Sequence, residues 1–139
     1  MIILDTNVLS ALMSRTPERA VIRWLDGQPP TSVWITSVTL LEVRFGLQIM
    51  PVGRRRAELT KAFETLIADQ IEGRVAAFDT DAAQHAADIM ALRYRQGRPG
   101  DLRDTMIGGI ALARKAALAT RNVSHFADLR IPIINPWAE

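Results

Sequence analysis

The chain contains no cysteine, which excludes structural disulfides, thiolate metal sites and cysteine nucleophiles. Its apolar runs fall well short of the roughly 20 residues that a membrane-spanning helix needs. The apolar opening Met1–Leu4 stops at Asp5 and has no basic flank, so it does not read as a secretion signal. A cytoplasmic location is the default expectation. Neither G-x-G-x-x-G nor G-x-x-x-x-G-K-[ST] occurs, which argues against nucleotide-binding folds. There is no internal repeat, low-complexity tract or dividing linker, and the formal charge of +2 is too small to imply nucleic acid by itself. What remains is an ordinary globular composition, with 48% hydrophobic and 23% charged residues. At 139 residues the expectation is one domain, 1–139, with one sizeable core.

Five short apolar runs read as buried parallel strands: 2–4, 33–35, 75–78, 117–119 and 131–134. Each lacks the polar alternation of a strand with one wet face. Leu59, Ala62, Phe63, Leu66 and Ile67 form one helical stripe, and segments 37–50, 80–96 and 103–116 are proline-free and rich in Ala, Leu and Met. The alternation predicts a three-layer α/β/α fold around a parallel sheet of four or five strands. Loops are expected at 27–32, 96–102 and 122–130. Gly108-Gly109 inside a helical segment costs roughly 1 kcal/mol per glycine relative to alanine, which predicts close packing against another helix or a second subunit.

The residue that follows each strand is polar: Asp5, Thr36, Asp79, Thr120 and Asn135. Open parallel sheets bind ligands at the carboxyl ends of their strands, although the same residue types are good helix caps. Asp5 closes the first strand, where a rigidly held carboxylate can bind a hard cation. Glu42 lies among apolar neighbours on a helix that reads as buried nearly all round, and a buried Glu is rare unless paired or metal-bound. Arg44, two residues away, does not share its helix face. Asp104 opens a helix where the dipole favours an acid; with Asp101 as the cap, Asp104 is released to point inward.

Together Leu4-Asp5-Thr6-Asn7-Val8-Leu9, Leu41-Glu42, Asp104-x-x-Ile107 and Ala119-Thr120-Arg121-Asn122 resemble the four signature stretches of PIN domains, in order. Their spacing resembles the VapC-type toxins of type II toxin–antitoxin pairs, and Ile134-Asn135-Pro136-Trp137 resembles the Fit-type branch. The resemblance implies an endoribonuclease that binds Mg²⁺, or Mn²⁺, through Asp5, Glu42 and Asp104. It implies a cognate antitoxin, a homodimer, and contact with DNA only through the antitoxin. Thr6, Ser37 and Thr120 match supporting hydroxyl positions, and Asp101 is a candidate to supplement the acids. At the fourth acidic position of many relatives this chain has Asn122, which puts a second tightly held metal in doubt.

Such chemistry needs few protein ligands, because Mg²⁺ keeps several waters and accepts phosphate oxygens. A bound cation acidifies water, neutralises phosphate charge and orients an in-line displacement. Three crowded carboxylates without a cation should raise at least one pKa. Arg93, Arg95, Arg98 and Arg103 are candidates to hold RNA backbone, with Arg98 and Arg103 favoured because they flank Asp104. Arg54-Arg55-Arg56 reads rather as a solvated helix start. His85 reads as packed or half-exposed, and His125 lies where it can approach substrate. Two competitors are a phosphatase of the haloacid-dehalogenase type, which wants Asp rather than Asn at position 7, and a non-catalytic subunit of the same fold in a DNA-bound complex, towards which Asn122 leans.

Overall fold

The computed structural model describes residues 1–138. Its elements run β1 (Ile2–Leu4), α1 (Thr6–Met13), α2 (Arg19–Asp26), β2 (Val33–Thr36), α3 (Ser37–Ile49), α4 (Arg54–Thr65), β3 (Val75–Ala76), α5 (Thr80–Arg95), α6 (Leu102–Arg114), β4 (Ala117–Ala119) and β5 (Ile133–Ile134). The strands form one parallel sheet of five in the order β3-β2-β1-β4-β5. The central strand is therefore β1, and it delivers Asp5 to the middle of the sheet's carboxyl edge. No helix among the described residues is long and apolar enough to cross a membrane.

The pleat distributes alternate residues to two apolar layers. Leu4, Val33, Ile35 and Ala119 join Val8, Leu9, Val21, Val43 and Phe63 on the side of α1 to α4. Ile3, Ala76 and Leu118 join Ile107, Ile110 and Phe126 on the side of α5 and α6. Both faces of each strand are covered, which is why none of them alternates with polar residues.

Several boundaries differ from expectation for visible reasons. Strand β3 ends at Ala76 because the Phe78 N–H donates to Ser37 Oγ at 3.0 Å and the Asp79 N–H to the Ala77 carbonyl at 3.0 Å, turning the chain out of the sheet. Strand β5 starts at Ile133, after Pro132, which has no N–H to give a ladder. Helix α2 was not expected from the sequence, yet Val21, Trp24 and Leu25 stand at i, i+3, i+4 and pack on the first layer. Helix α3 is not buried all round: Leu41, Phe45 and Ile49 are 60%, 56% and 67% exposed and form a single stripe. The two glycines of α6 face α5. A Cβ at Gly109 would lie 2.5 Å from the Ala82 carbonyl oxygen, and one at Gly108 would lie 2.8 Å from Leu129. Close packing of α5 explains Gly109, and the Leu129 side chain of the following loop fills the space beside Gly108.

Candidate acidic site

Asp5 both ends β1 and caps α1, with Oδ1 accepting the Thr6 N–H at 2.8 Å. Its other oxygen accepts from Thr120 Oγ at 2.8 Å and from Asn7 Nδ2 at 3.4 Å. Thr120 follows β4, the neighbour of β1, so adjacent strands present acid and hydroxyl side by side. Asn7 ties the same two strand ends together, because Nδ2 also reaches Thr120 Oγ and Oδ1 accepts the Arg121 N–H. Asp5 is only 3% exposed. Burial pushes its carboxyl above the usual range, and the Thr120 and Thr6 hydrogen bonds pull it partly back. The charges of Asp104 and Glu42 push it up further. The charges of two acids from distant segments thus add to the effect of burial at Asp5.

Glu42 enters from α3. Thr6 Oγ donates to Glu42 Oε1 at 2.8 Å, and its remaining capacity meets Thr39 Oγ at 2.8 Å. Thr6 has one hydroxyl proton, so Thr39 is the donor in the second bond. Thus Thr6 touches two acids at once: its N–H holds Asp5 and its hydroxyl holds Glu42. Glu42 Oε2 also lies 3.7 Å from Arg103 Nη1, a long ion pair that leaves the carboxylate partly open. Asp104 lies in the first turn of α6, and its Oδ2 is 3.0 Å from His125 Nδ1. An ionised carboxylate only accepts, so Nδ1 carries the proton in this bond.

The remaining expected positions divide. Asp101 is the α6 cap, accepting the Asp104 N–H at 3.1 Å, and its exposed carboxylate lines the same cleft as Asp104. Ser37 is corrected: its hydroxyl accepts the Phe78 N–H, and Thr39 is the supporting hydroxyl of α3. The signal for Thr39 was its place three residues before Glu42, on the same helix face. Thr36 and Asp79 are local caps of α3 and α5, and Asn135 Oδ1 accepts the Trp137 N–H. Asn122 lies exposed just beyond Thr120, to whose hydroxyl its N–H donates at 3.0 Å. The closing Pro136-Trp137 segment has a mechanical part, since Trp137 packs on the first layer and carries the Arg121 guanidinium 5.0 Å above its ring.

Among the arginines, Arg93 is corrected outright, being a buried residue in contact with Asp128 rather than an open phosphate contact. Arg98 borders a cleft of about 580 Å³ together with Gly100, Asp104, Ser124 and His125. A second, more apolar groove of about 350 Å³ meets the acids from the other side, between Thr6, Met13, Glu42, Met50, Arg55 and Leu59. Arg54 pairs with Glu58 one turn on, and Arg56 reaches the Met50 carbonyl. His85 bonds the Asp81 carbonyl of its own helix and is exposed.

The carboxylates of Asp5, Glu42 and Asp104 and the hydroxyls of Thr6 and Thr120 offer oxygen ligands, the type that hard divalent cations prefer. Among the described residues no three acidic or histidine side chains are grouped closely enough to hold a metal ion by themselves. Glu42 is turned to Thr6 and Arg103, and Asp104 to His125. A hydrated cation fits such a set, because it needs one or two carboxylates and brings its own waters. Burial, more than neighbouring charge, raises the Asp5 carboxyl, and a cation beside it would favour its ionised form.

A parallel sheet in this strand order, with an acidic carboxyl edge built from β1, α3 and α6, defines an α/β protein with an acidic site at the ends of its strands. The sequence profile of the PIN domain family matches residues 2–131. VapC ribonuclease Y4jK of Sinorhizobium fredii is 39% identical over 137 residues, spanning 99% of this chain and 98% of that protein. The crystal structure of FitAcB from Neisseria gonorrhoeae superposes with a TM-score of 0.90 at 29% identity, covering 100% of both chains. VapBC-5 from Mycobacterium tuberculosis, a member of the VapBC family of toxin–antitoxin systems, superposes at 0.68 with 26% identity over 96% of both chains. The chain belongs to the PIN-domain family, among its VapC-type toxins.

Proposed function

We propose that this protein is a divalent-cation-dependent endoribonuclease, the toxin of a toxin–antitoxin pair, working in the cytoplasm as a homodimer. The observation that carries the reading is Asp5, linked through Thr6 to Glu42 and raised in pKa chiefly by burial, with a further push from the charges of Asp104 and Glu42. Asp5, Glu42 and Asp104 would hold Mg²⁺ or Mn²⁺. Bound there, the cation supplies an acidified water and offsets phosphate charge. Thr120 and Thr6 fix both oxygens of Asp5, so the carboxylate does not have to find its rotamer when substrate arrives. Asn122 adds a neutral oxygen at the rim and no charge. Arg98 on the cleft wall and Arg103 beside Glu42 give RNA phosphates two cationic contacts, which position a strand without reading its sequence. The products follow the family resemblance: a 5′-phosphate and a 3′-hydroxyl.

The exposed stripe Leu41, Phe45 and Ile49 supports a second copy as partner. The relatedness to a toxin–antitoxin family supports a protein antitoxin, with DNA reached only through it. The test is incubation of the purified chain with single-stranded RNA and Mg²⁺, with and without chelator, beside a phosphomonoester. Chelator-sensitive RNA cleavage is expected. Phosphomonoester hydrolysis alone would indicate a phosphatase, and no turnover of either would indicate a binding subunit.

A further inference from the structure

Near the end of α5, Arg93 is only 7% exposed, and an arginine this deep is rare unless paired. Its guanidinium is engaged on every side. Nε and Nη2 fork onto the two oxygens of Asp128 at 3.0 and 2.9 Å. Nη2 also donates to the His125 carbonyl at 2.8 Å, and Nη1 to Thr105 Oγ at 3.2 Å. Thr105 in turn donates to the Asp101 carbonyl at 2.8 Å. One planar group therefore fastens three pieces of chain: the end of α5, the first turn of α6 and the 122–130 loop. The chain closes over it at Gly100, where a Cβ would lie 2.7 Å from Nη1.

Two of those three pieces carry the Asp104 arrangement. Asp104 is the neighbour of Thr105 in the first turn of α6, and His125, whose carbonyl Arg93 holds, bonds Asp104 Oδ2 through its ring. An ion pair whose acid, Asp128, is 37% exposed contributes little net stability, so bracing the fold is a weak reason for a forked cation here. The fork does what an apolar group does not: it fixes the register of the loop against the helix turn. We propose that Arg93 is a positioning residue of the acidic site, setting the orientation of Asp104 through His125 and thereby the affinity for a divalent cation. The inference rests on the reading of Asp104 as a cation ligand.

Outer hydrogen-bond partners of ligating carboxylates typically change metal affinity by about 10- to 100-fold. The experiment is calorimetric titration of Mn²⁺ into the full chain: wild type, Arg93→Lys, His125→Ala and the double variant, with thermal melts to establish folding. Lysine keeps the charge and loses the fork. Each single substitution should weaken Mn²⁺ binding about tenfold or more, and the double should be no weaker than the worse single, because both act through one contact. If Arg93→Lys does not fold, Asp128→Asn takes its place, since it removes the charged end of the clamp and leaves Arg93 present. Unchanged Mn²⁺ affinity in the clamp variant, or losses that multiply in the double, would overturn the positioning role while leaving the cation site standing. A wild type that binds no Mn²⁺ would overturn both.

Discussion

The raised carboxyl of Asp5 has a thermodynamic consequence at the scale of a single residue. A folded-state pKa above the unfolded one means that the folded protein binds the proton more tightly. The associated stability is complete below the unfolded value and is lost as pH rises through the folded value. At neutral pH the ionised, crowded Asp5 is thus a strain on the metal-free fold. Asp5→Asn removes the charge at nearly constant volume: its Oδ1 still accepts from Thr6, and the new amide competes with Asn7 Nδ2 for Thr120 Oγ. The metal-free variant should melt at or above the wild type at pH 7, with any advantage fading as pH falls toward 3.8, the ordinary value of an aspartate. Melts across that range check the sign, and a variant that is less stable at neutral pH would show that Asp5 is a structural acid. Glu42 gives a complementary expectation. Glu42→Gln should fold normally but show a smaller Mg²⁺-induced rise in Tm than wild type, whereas equal rises would remove Glu42 from the site. Asn122→Asp adds a negative charge, worth up to about 4 kcal/mol per cation charge at 4 Å and an effective dielectric of 20 before desolvation and screening. It should tighten Mn²⁺ binding in a calorimetric titration, and unchanged affinity would show that residue 122 does not face the cation.

Elements are positioned by closeness of approach as much as by apolar area. The contact of α5 and α6 has no room for a side chain at Gly109, where the obstacle is the Ala82 backbone carbonyl rather than a movable group. Gly109→Ala gains roughly 1 kcal/mol of helix propensity and should lose more, because overpacking costs about 1–3 kcal/mol and this contact is severe. A lowered denaturation midpoint is expected; a raised one would mean that the helices part easily. This packing also shows how far the sequence can be read. The glycine pair announced a close contact but not its partner. Strands such as Ile2-Ile3-Leu4 and Ala117-Leu118-Ala119 were legible because both faces are covered, leaving a continuous apolar run. The three acids were legible through residue type and order along the chain. Arg93 was not: its burial depends on a loop folding back from 122–130, and nothing local to α5 announces it. Ser37 is the α3 hydroxyl expected from the sequence, and only the path of β3 decides that it serves the Phe78 N–H. The exposed stripe of α3 was misread because Leu41, Phe45 and Ile49 look like core when the helix's neighbours are unknown.

Across the whole molecule, one edge of the sheet concentrates acids while arginines stand on the surrounding walls, although the net charge is only +2. Replacing Arg98 by Ala should weaken RNA binding evenly across sequences and reduce the salt slope of log K by about 0.7 for a single-stranded target. An unchanged slope would place Arg98 outside the RNA path. The stripe of α3 makes a separable claim about assembly: Phe45→Glu should shift the protein toward monomer in sedimentation, and a dimer that persists would move the interface elsewhere. Underlying all of this is the claim that Asp5, Glu42 and Asp104 form one cation site, although they come from different elements and are not yet closed around anything. Calorimetric titration of Mn²⁺ into wild type, Asp5→Asn, Glu42→Gln and Asp104→Asn tests that claim most directly. The account predicts saturable binding to wild type and a loss of about tenfold or more in each variant. Wild-type affinity retained in all three variants would contradict it.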